Sequence, residues 1–136
     1  MWSEKDITRE YKKGEMIIEE GALGREMFII KSGSVNVIKR DDKRDIPLAT
    51  LEKGDFFGEM ALLENVPRGA TVIAREVTDV IVLNMGSLLI KIKQDPTFAF
   101  NMMQKMSNRI RMLNEKLLKQ EDKCESDHSE KYVIDL

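Results

Sequence analysis

The sequence predicts a mainly β protein with α-helices at its C-terminal end. The expected architecture is an antiparallel β-roll of the double-stranded β-helix or jelly-roll type, followed by a short helix and a long helix. Short apolar segments separated by glycines fill the chain before residue 86, as in antiparallel rolls and sandwiches. No segment of helical length separates these strands, which argues against a parallel α/β sheet. After residue 86 the apolar spacing changes from two residues to three and four, which indicates helix.

The predicted strands follow one another with turn residues between them. They are Met16–Ile18, Met27–Ile30, Val35–Ile38, Pro47–Leu51, Thr71–Ala74 and Val80–Leu83. Gly21, Ser32-Gly33, Asp41–Asp45 and Gly54 lie between these segments and are typical turn residues.

Two helices are predicted after the last strand. Ser87 is expected to cap the short helix, which Asp95-Pro96 would end. The same pair is a good start for the long helix, with Asp95 as N-cap and Pro96 in the first turn. One apolar stripe follows at helical spacing: Phe98, Met102, Met103, Met106, Ile110, Leu113 and Leu117. We expect residues 1–95 to form the roll, 96–120 the long helix and 121–136 a mobile polar tail.

Composition excludes several classes of function. The 136 residues carry 22 basic and 24 acidic side chains, and this balance argues against a surface that binds nucleic acid directly. No apolar segment is long enough to span a membrane, and the start of the chain lacks a signal sequence. Cys124 is the only cysteine, so neither an internal disulfide nor a multi-cysteine cluster is expected. These features predict a cytoplasmic protein.

Residues 57–72 form the most informative segment. Gly58 allows a conformation that other residues resist and leaves room for a ligand to approach the backbone. Glu59–Leu63 is predicted to form a short helix whose first N–H groups point at the same cleft. Arg68 would reach back over this turn and add a forked cationic donor. One helix start and one arginine suit a ligand with a single negative charge.

This segment closely resembles the phosphate-binding cassette of cyclic-nucleotide-binding domains. Such domains occur in catabolite activator proteins, protein kinase A regulatory subunits and cyclic-nucleotide-gated channels. The resemblance extends from Tyr11 to Leu118 and includes Gly14-Glu15, Glu20-Gly21, Ile30–Gly33, Gly54–Glu59 and Pro67–Thr71. It implies a sensing module that binds cAMP, or alternatively cGMP, and signals to an effector protein that the sequence does not identify.

The resemblance also implies roles for individual residues. Glu59 would hold the ribose 2′-hydroxyl and Arg68 the cyclic phosphate, with Gly58 at the start of the cassette. Backbone N–H groups near Met60, Ala61 and Ala70 would complete the phosphate pocket. Ala49, Leu51 and Val72 would pack beside the base, and Arg109 and Asn114 lie where the family's long helix meets the base edge. A threonine or serine directly after the arginine favours cGMP in the family; Gly69 occupies this position, so cAMP is the expected ligand.

The long helix has two possible uses. Its apolar stripe fits a coiled-coil seam of Met103, Met106, Ile110, Leu113, Leu117 and Gln120. It can pack in parallel against a second copy, or fold as a lid onto its own roll. The stripe is too long to be buried by one roll from Leu117 onward, so we favour a homodimer. Residues 119–136 are too few for a DNA-binding domain, and the chain is either a stand-alone sensor, which its ordinary Met1 start favours, or a fragment.

Other functions are less well supported by the sequence. A domain that keeps the fold but has lost its ligand is the main alternative, although the Glu59 and Arg68 pair would be costly to retain without one. Cys124 and His128 have metal-ligand spacing, but no second pair accompanies them. No residue set for catalysis is evident, so we expect neither an enzyme nor a cofactor. Phe56 and Phe57 are interpreted as core residues rather than base-stacking ones.

Overall fold

The computed structural model describes residues 6–124, and this part of the chain contains eight strands and three helices. The strands are β1 Ile7–Tyr11, β2 Met16–Ile18, β3 Met27–Ser32, β4 Ser34–Asp41, β5 Arg44–Glu52, β6 Phe56–Phe57, β7 Thr71–Ala74 and β8 Thr78–Leu83. The helices are α1 Glu59–Glu64, α2 Met85–Gln94 and α3 Pro96–Cys124. The chain divides after Lys91 into two compact units, the first containing both sheets and the second containing α3.

The strands form two four-stranded antiparallel sheets, which confirms the predicted β-roll. One sheet has the order β1-β8-β3-β6 and the other β2-β7-β4-β5. Chain neighbours are therefore often in different sheets, as expected of a roll rather than a simple meander. The β4–β5 hairpin is the longest pairing and runs from Ser34 opposite Glu52 to Asp41 opposite Arg44.

The core of the first unit draws on both sheets. Its buried members are Ile18, Phe28, Ile30, Val35, Phe57, Val72, Val80 and Val82. The rings of Phe28 and Phe57 stack with centroids 5.1 Å apart. Phe56 and Phe57 are 2% and 4% exposed, which confirms that both are core residues.

Strand β1 was not predicted because its sequence lacks the usual alternation. Four of its five residues are exposed, including Ile7. The strand pairs with β8 at the edge of its sheet, with Arg9 opposite Val80. An edge strand is held mainly by backbone hydrogen bonds, so it needs little apolar sequence of its own.

The predicted cap of α2 was wrong. The helix begins at Met85, and the Ser87 backbone N–H donates to Oδ1 of Asn84 over 2.8 Å. The Leu88 N–H donates to the Asn84 carbonyl oxygen, so Asn84 is the N-cap and Ser87 lies inside the first turn. Asparagine and serine are both good N-caps. The helix was predicted to begin too late in the sequence, so its cap was placed at Ser87 instead of Asn84, three residues earlier.

Helix α3 begins at Pro96, as predicted, but it continues through Cys124. The tail predicted to begin at residue 121 is therefore helical over its first four residues. Glutamate and lysine favour helix even without an apolar face, so loss of the stripe did not mark the end. Residues 125–136 lie outside the described residues.

The stripe on α3 divides into a buried and an exposed part. Phe98 and Met102 are buried. Further along the helix, Met103 and Leu113 are each 59% exposed and Leu117 is 37% exposed. Large apolar side chains therefore remain accessible along this helix.

Candidate functional site

The site begins at Gly58, the N-cap of α1. Its φ is +82°, a left-handed conformation that favours glycine. A Cβ at this position would lie 2.8 Å from Nη1 of Arg68. Gly58 therefore meets two requirements at once, because it turns the chain into α1 and makes room for the arginine.

Arg68 lies across this turn and is only 8% exposed. Its Nη1 donates to the Gly58 carbonyl oxygen over 2.9 Å, and its Nη2 donates to the Glu26 carbonyl oxygen over 2.8 Å. The guanidinium also lies over the Phe28 ring, 5.8 Å from its centroid. The predicted position of Arg68 over the cassette turn thus agrees with the structure.

Burial and two carboxylates set the electrostatics of Arg68. Burial lowers the pKa of its guanidinium, whereas Glu26 and then Glu59 act in the opposite direction. Arginine nevertheless stays charged in proteins. The result is a poorly hydrated cation, which binds an anion more strongly than a solvated one does.

Glu59 is the first residue of α1 and directly follows the glycine whose carbonyl binds Arg68. The structure therefore brings Gly58, Glu59 and Arg68 together. Within α1, Met60 is 60% exposed, whereas the side chain of Ala61 is buried. Any contribution of Ala61 to a pocket must come from its backbone.

A polar network holds the far end of the cassette. The Gly69 carbonyl oxygen accepts from Nζ of Lys39 over 3.2 Å. The Thr71 hydroxyl oxygen accepts from the Glu20 N–H over 3.0 Å. The Glu20 carboxylate in turn accepts from the Arg40 N–H and lies 3.8 Å from Nζ of Lys39. Sequence reasoning missed this network because its members are polar residue types that are usually solvated, and the sequence does not show that they meet.

The residues predicted to face the base lie on adjacent strands. Val72 on β7 is opposite Val37 on β4, and Val37 is opposite Ala49 on β5. Leu51 is opposite Val35, two residues along the same pairing. Val72 belongs to the buried core, Leu51 packs against that core and Ala49 is exposed. Val37 was not predicted to face the base, although it lies between Val72 and Ala49, which were.

Ala70 is half-buried and directly precedes β7. Arg109 and Asn114 lie on α3 in the second unit, where both are half-buried. Their roles at the base edge stay predictions.

Two further features concern residues 6–124, a metal site and a membrane-spanning helix. No group of three or more histidine, cysteine, aspartate or glutamate residues is arranged there to hold a metal ion. The helices of this part of the chain are also too short or too polar to cross a membrane.

Comparison with known proteins identifies the family. The family model described as the cyclic nucleotide-binding domain matches residues 8–95. A cAMP-dependent protein kinase regulatory subunit of Mycosarcoma maydis is 46% identical over 71 residues, covering 52% of this chain and 14% of that protein. A cGMP-dependent protein kinase of Plasmodium berghei is 42% identical over 72 residues, covering 53% of this chain and 8% of that protein.

A solved structure shares the fold over a longer stretch. The catabolite activator protein of Thermus thermophilus has a TM-score of 0.73 and 30% identity, covering 82% of this chain and 53% of that one. This chain thus spans about half of that protein and less than a fifth of the regulatory subunit and of the kinase. The matched family covers both sheets, the Gly58–Glu59 turn and Arg68. The chain therefore belongs to the cyclic nucleotide-binding domain family.

Proposed function

We propose that this domain binds a cyclic nucleotide, with cAMP as the preferred ligand, and regulates a partner protein. The observation that carries the proposal is the buried Arg68 guanidinium, held over the Gly58–Glu59 turn by the Gly58 carbonyl. A cyclic phosphate carries one negative charge, so a single desolvated cation matches it. Family membership supports the same ligand class, and the names of two relatives include cAMP and cGMP.

The geometry supports one orientation of the ligand. The phosphate would bind Arg68 and backbone N–H groups near Met60, Ala61 and Ala70. The ribose 2′-hydroxyl would donate to Glu59, because a carboxylate accepts hydrogen bonds and repels a phosphate. The base would then lie along the row formed by Val72, Val37 and Ala49, which is continuous across three strands.

We further propose that α3 transmits the signal. Its exposed apolar stripe supports a parallel homodimer, with Leu113 and Leu117 in the contact. Ligand binding would change the position or the dimer contacts of this helix, and an effector protein would detect the change. The domain itself would carry out no reaction and would act in the cytoplasm, as its single cysteine favours.

Titration of the purified protein with a fluorescent cAMP analogue tests ligand binding. We expect saturable binding that unlabelled cAMP displaces, whereas 5′-AMP should compete poorly because its phosphate is dianionic and not cyclic. Failure of both cAMP and cGMP to displace the analogue at millimolar concentration would overturn the proposal. The ligand-free structural domain would then be the better description.

A further inference from the structure

The segment between β2 and β3 contacts Arg68 from outside the cassette. The Gly21 N–H donates to the Arg68 carbonyl oxygen over 2.8 Å, and the Arg68 N–H donates to the Ala22 carbonyl oxygen over 2.9 Å. These two reciprocal bonds fix the backbone from which the arginine side chain extends. The β2–β3 segment therefore fixes the position of the Arg68 backbone, from which the guanidinium extends.

Gly24, in the same segment, lies against the guanidinium itself. A Cβ built on Gly24 would be 2.7 Å from Nη2 of Arg68, 2.9 Å from Nε and 3.0 Å from Cζ. The first two distances are too short for a real contact and the third is tighter than almost all real ones, and all three atoms belong to the charged end of the arginine. The backbone of Gly24 does not adopt the left-handed conformation, unlike that of Gly58. Gly24 is thus required for the space it leaves rather than for its backbone.

The guanidinium is consequently confined from two sides. Gly24 and the Glu26 carbonyl lie on the β2–β3 side, and the Gly58 carbonyl lies on the cassette side. A guanidinium is planar and its donors are fixed, so the direction of its remaining N–H groups follows from this pose. Hydrogen-bond strength falls steeply with misalignment.

We propose that Gly24 is a positioning residue for the phosphate site: by lacking a side chain, it sets the pose in which Arg68 presents its donors to a monoanionic cyclic phosphodiester. This inference rests on the proposed function for its ligand, but the packing of Gly24 on Arg68 can be tested without ligand. Glycine spacing in the sequence gives no indication of this role, because the contact joins residues 24 and 68.

The test is Gly24→Ala, which the backbone conformation tolerates and which displaces a flexible side-chain end. Calorimetry should show cAMP affinity reduced roughly 10- to 100-fold, the range for disturbing a hydrogen-bonded charged group. Gly86→Ala on α2 is the control, because an added Cβ there meets its nearest atom at 3.4 Å and Arg68 is not involved. In an Arg68→Leu background, Gly24→Ala should have little further effect. Equal losses in both backgrounds, or parental affinity of Gly24→Ala, would overturn the proposal.

A second measurement separates this proposal from the proposed function. In the ligand-free protein, the NMR signal of the Arg68 Nε–H should shift in Gly24→Ala and stay unchanged in Gly86→Ala. An unchanged signal would refute the packing of Gly24 against Arg68. A shifted signal in a protein that does not bind cAMP would support that packing and contradict only the proposed ligand. If Gly24→Ala does not fold, adding Arg68→Ala should restore folding by removing the clash. Persistent misfolding of that double variant would also overturn the proposal.

Discussion

The guanidinium of Arg68 and the carbonyl of Gly58 form a 2.9 Å hydrogen bond that joins the two ends of the cassette. They are ten positions apart in the chain, and α1 lies between them. The bond comes from the protein itself and orients the cation, so less ordering is needed on binding. Arg68 is therefore both the proposed ligand contact and a structural tie within the site.

Replacement of Arg68 by leucine should weaken cAMP binding by about 2–4 kcal/mol, the scale for losing one member of a desolvated charge pair. Isothermal titration calorimetry on parent and variant measures the loss. The exposed Arg44→Leu at the β4–β5 turn is the control and should bind normally. Equal affinity of Arg68→Leu and the parent protein would show that the cassette does not bind the phosphate.

Glu59 should recognise the ribose. Glu59→Ala and removal of the 2′-hydroxyl from cAMP are each expected to cost about 1.5–3 kcal/mol, as for hydrogen bonds to charged groups. Combined, the two changes should cost much less than their sum, because they remove the same contact. Glu64→Ala, at the exposed end of α1, is the matched control. Strictly additive losses would show that Glu59 affects binding through a contact other than the 2′-hydroxyl.

A nearly buried ion pair should stabilise the first unit. Nζ of Lys91 lies 3.1 Å from Oδ2 of Asp6, and their side chains are 10% and 14% exposed. Asp6→Ala should lower the free energy of unfolding by about 1–3 kcal/mol, because it leaves a buried ammonium without this carboxylate. Adding Lys91→Met should recover part of the loss.

Urea denaturation measures both variants of this pair. Asp45→Ala serves as the control, since the Arg40–Asp45 pair is exposed and should contribute less than about 1 kcal/mol. If Asp6→Ala and Asp45→Ala were equally mild, the Asp6–Lys91 pair would not be a stabilising contact.

The local sequence was enough to predict the apolar strands and the turns that contain typical turn residues. The β3 and β8 strands are apolar because they are buried in the core, and Gly58 precedes α1 as its conformation requires. Residues that act through the backbone could not be found this way. The Glu26 carbonyl binds Arg68, yet every residue type supplies a carbonyl oxygen. Gly24 contributes only space, and that space matters because of a residue 44 positions later.

The proposed homodimer depends on the exposed part of the α3 stripe. Leu113→Glu and Leu117→Glu should each convert a dimer to a monomer, because a buried glutamate without a compensating partner is costly. Sedimentation velocity at tens of micromolar distinguishes the two states. Gln104→Glu, exposed on the same helix at a position that faces away from the seam, should leave the dimer intact. If the parent protein sediments as a monomer, the homodimer prediction is wrong and the lid is the remaining role for the stripe.

Gly69 offers a test of nucleotide preference. A Cβ at Gly69 would meet nothing within 4 Å, and the residue does not adopt a left-handed conformation. Threonine should therefore fit at this position without distorting the cassette, whose Gly69 carbonyl accepts from Lys39. The parent protein has no hydroxyl at this position to form a hydrogen bond with guanine, so we expect cAMP to bind more tightly than cGMP.

The Gly69→Thr variant should shift this preference toward cGMP by about 0.5–1.5 kcal/mol, the value of one neutral hydrogen bond. Competition of both nucleotides against one fluorescent analogue measures the change. Gly69→Val is the matched control, because valine has the shape of threonine but no donor, so it should retain the parental ratio. Should valine and threonine shift the ratio equally, shape rather than the hydroxyl would be responsible. A parent protein that already prefers cGMP would place the discriminating contacts on other residues, and Asn114 would be the next one to substitute.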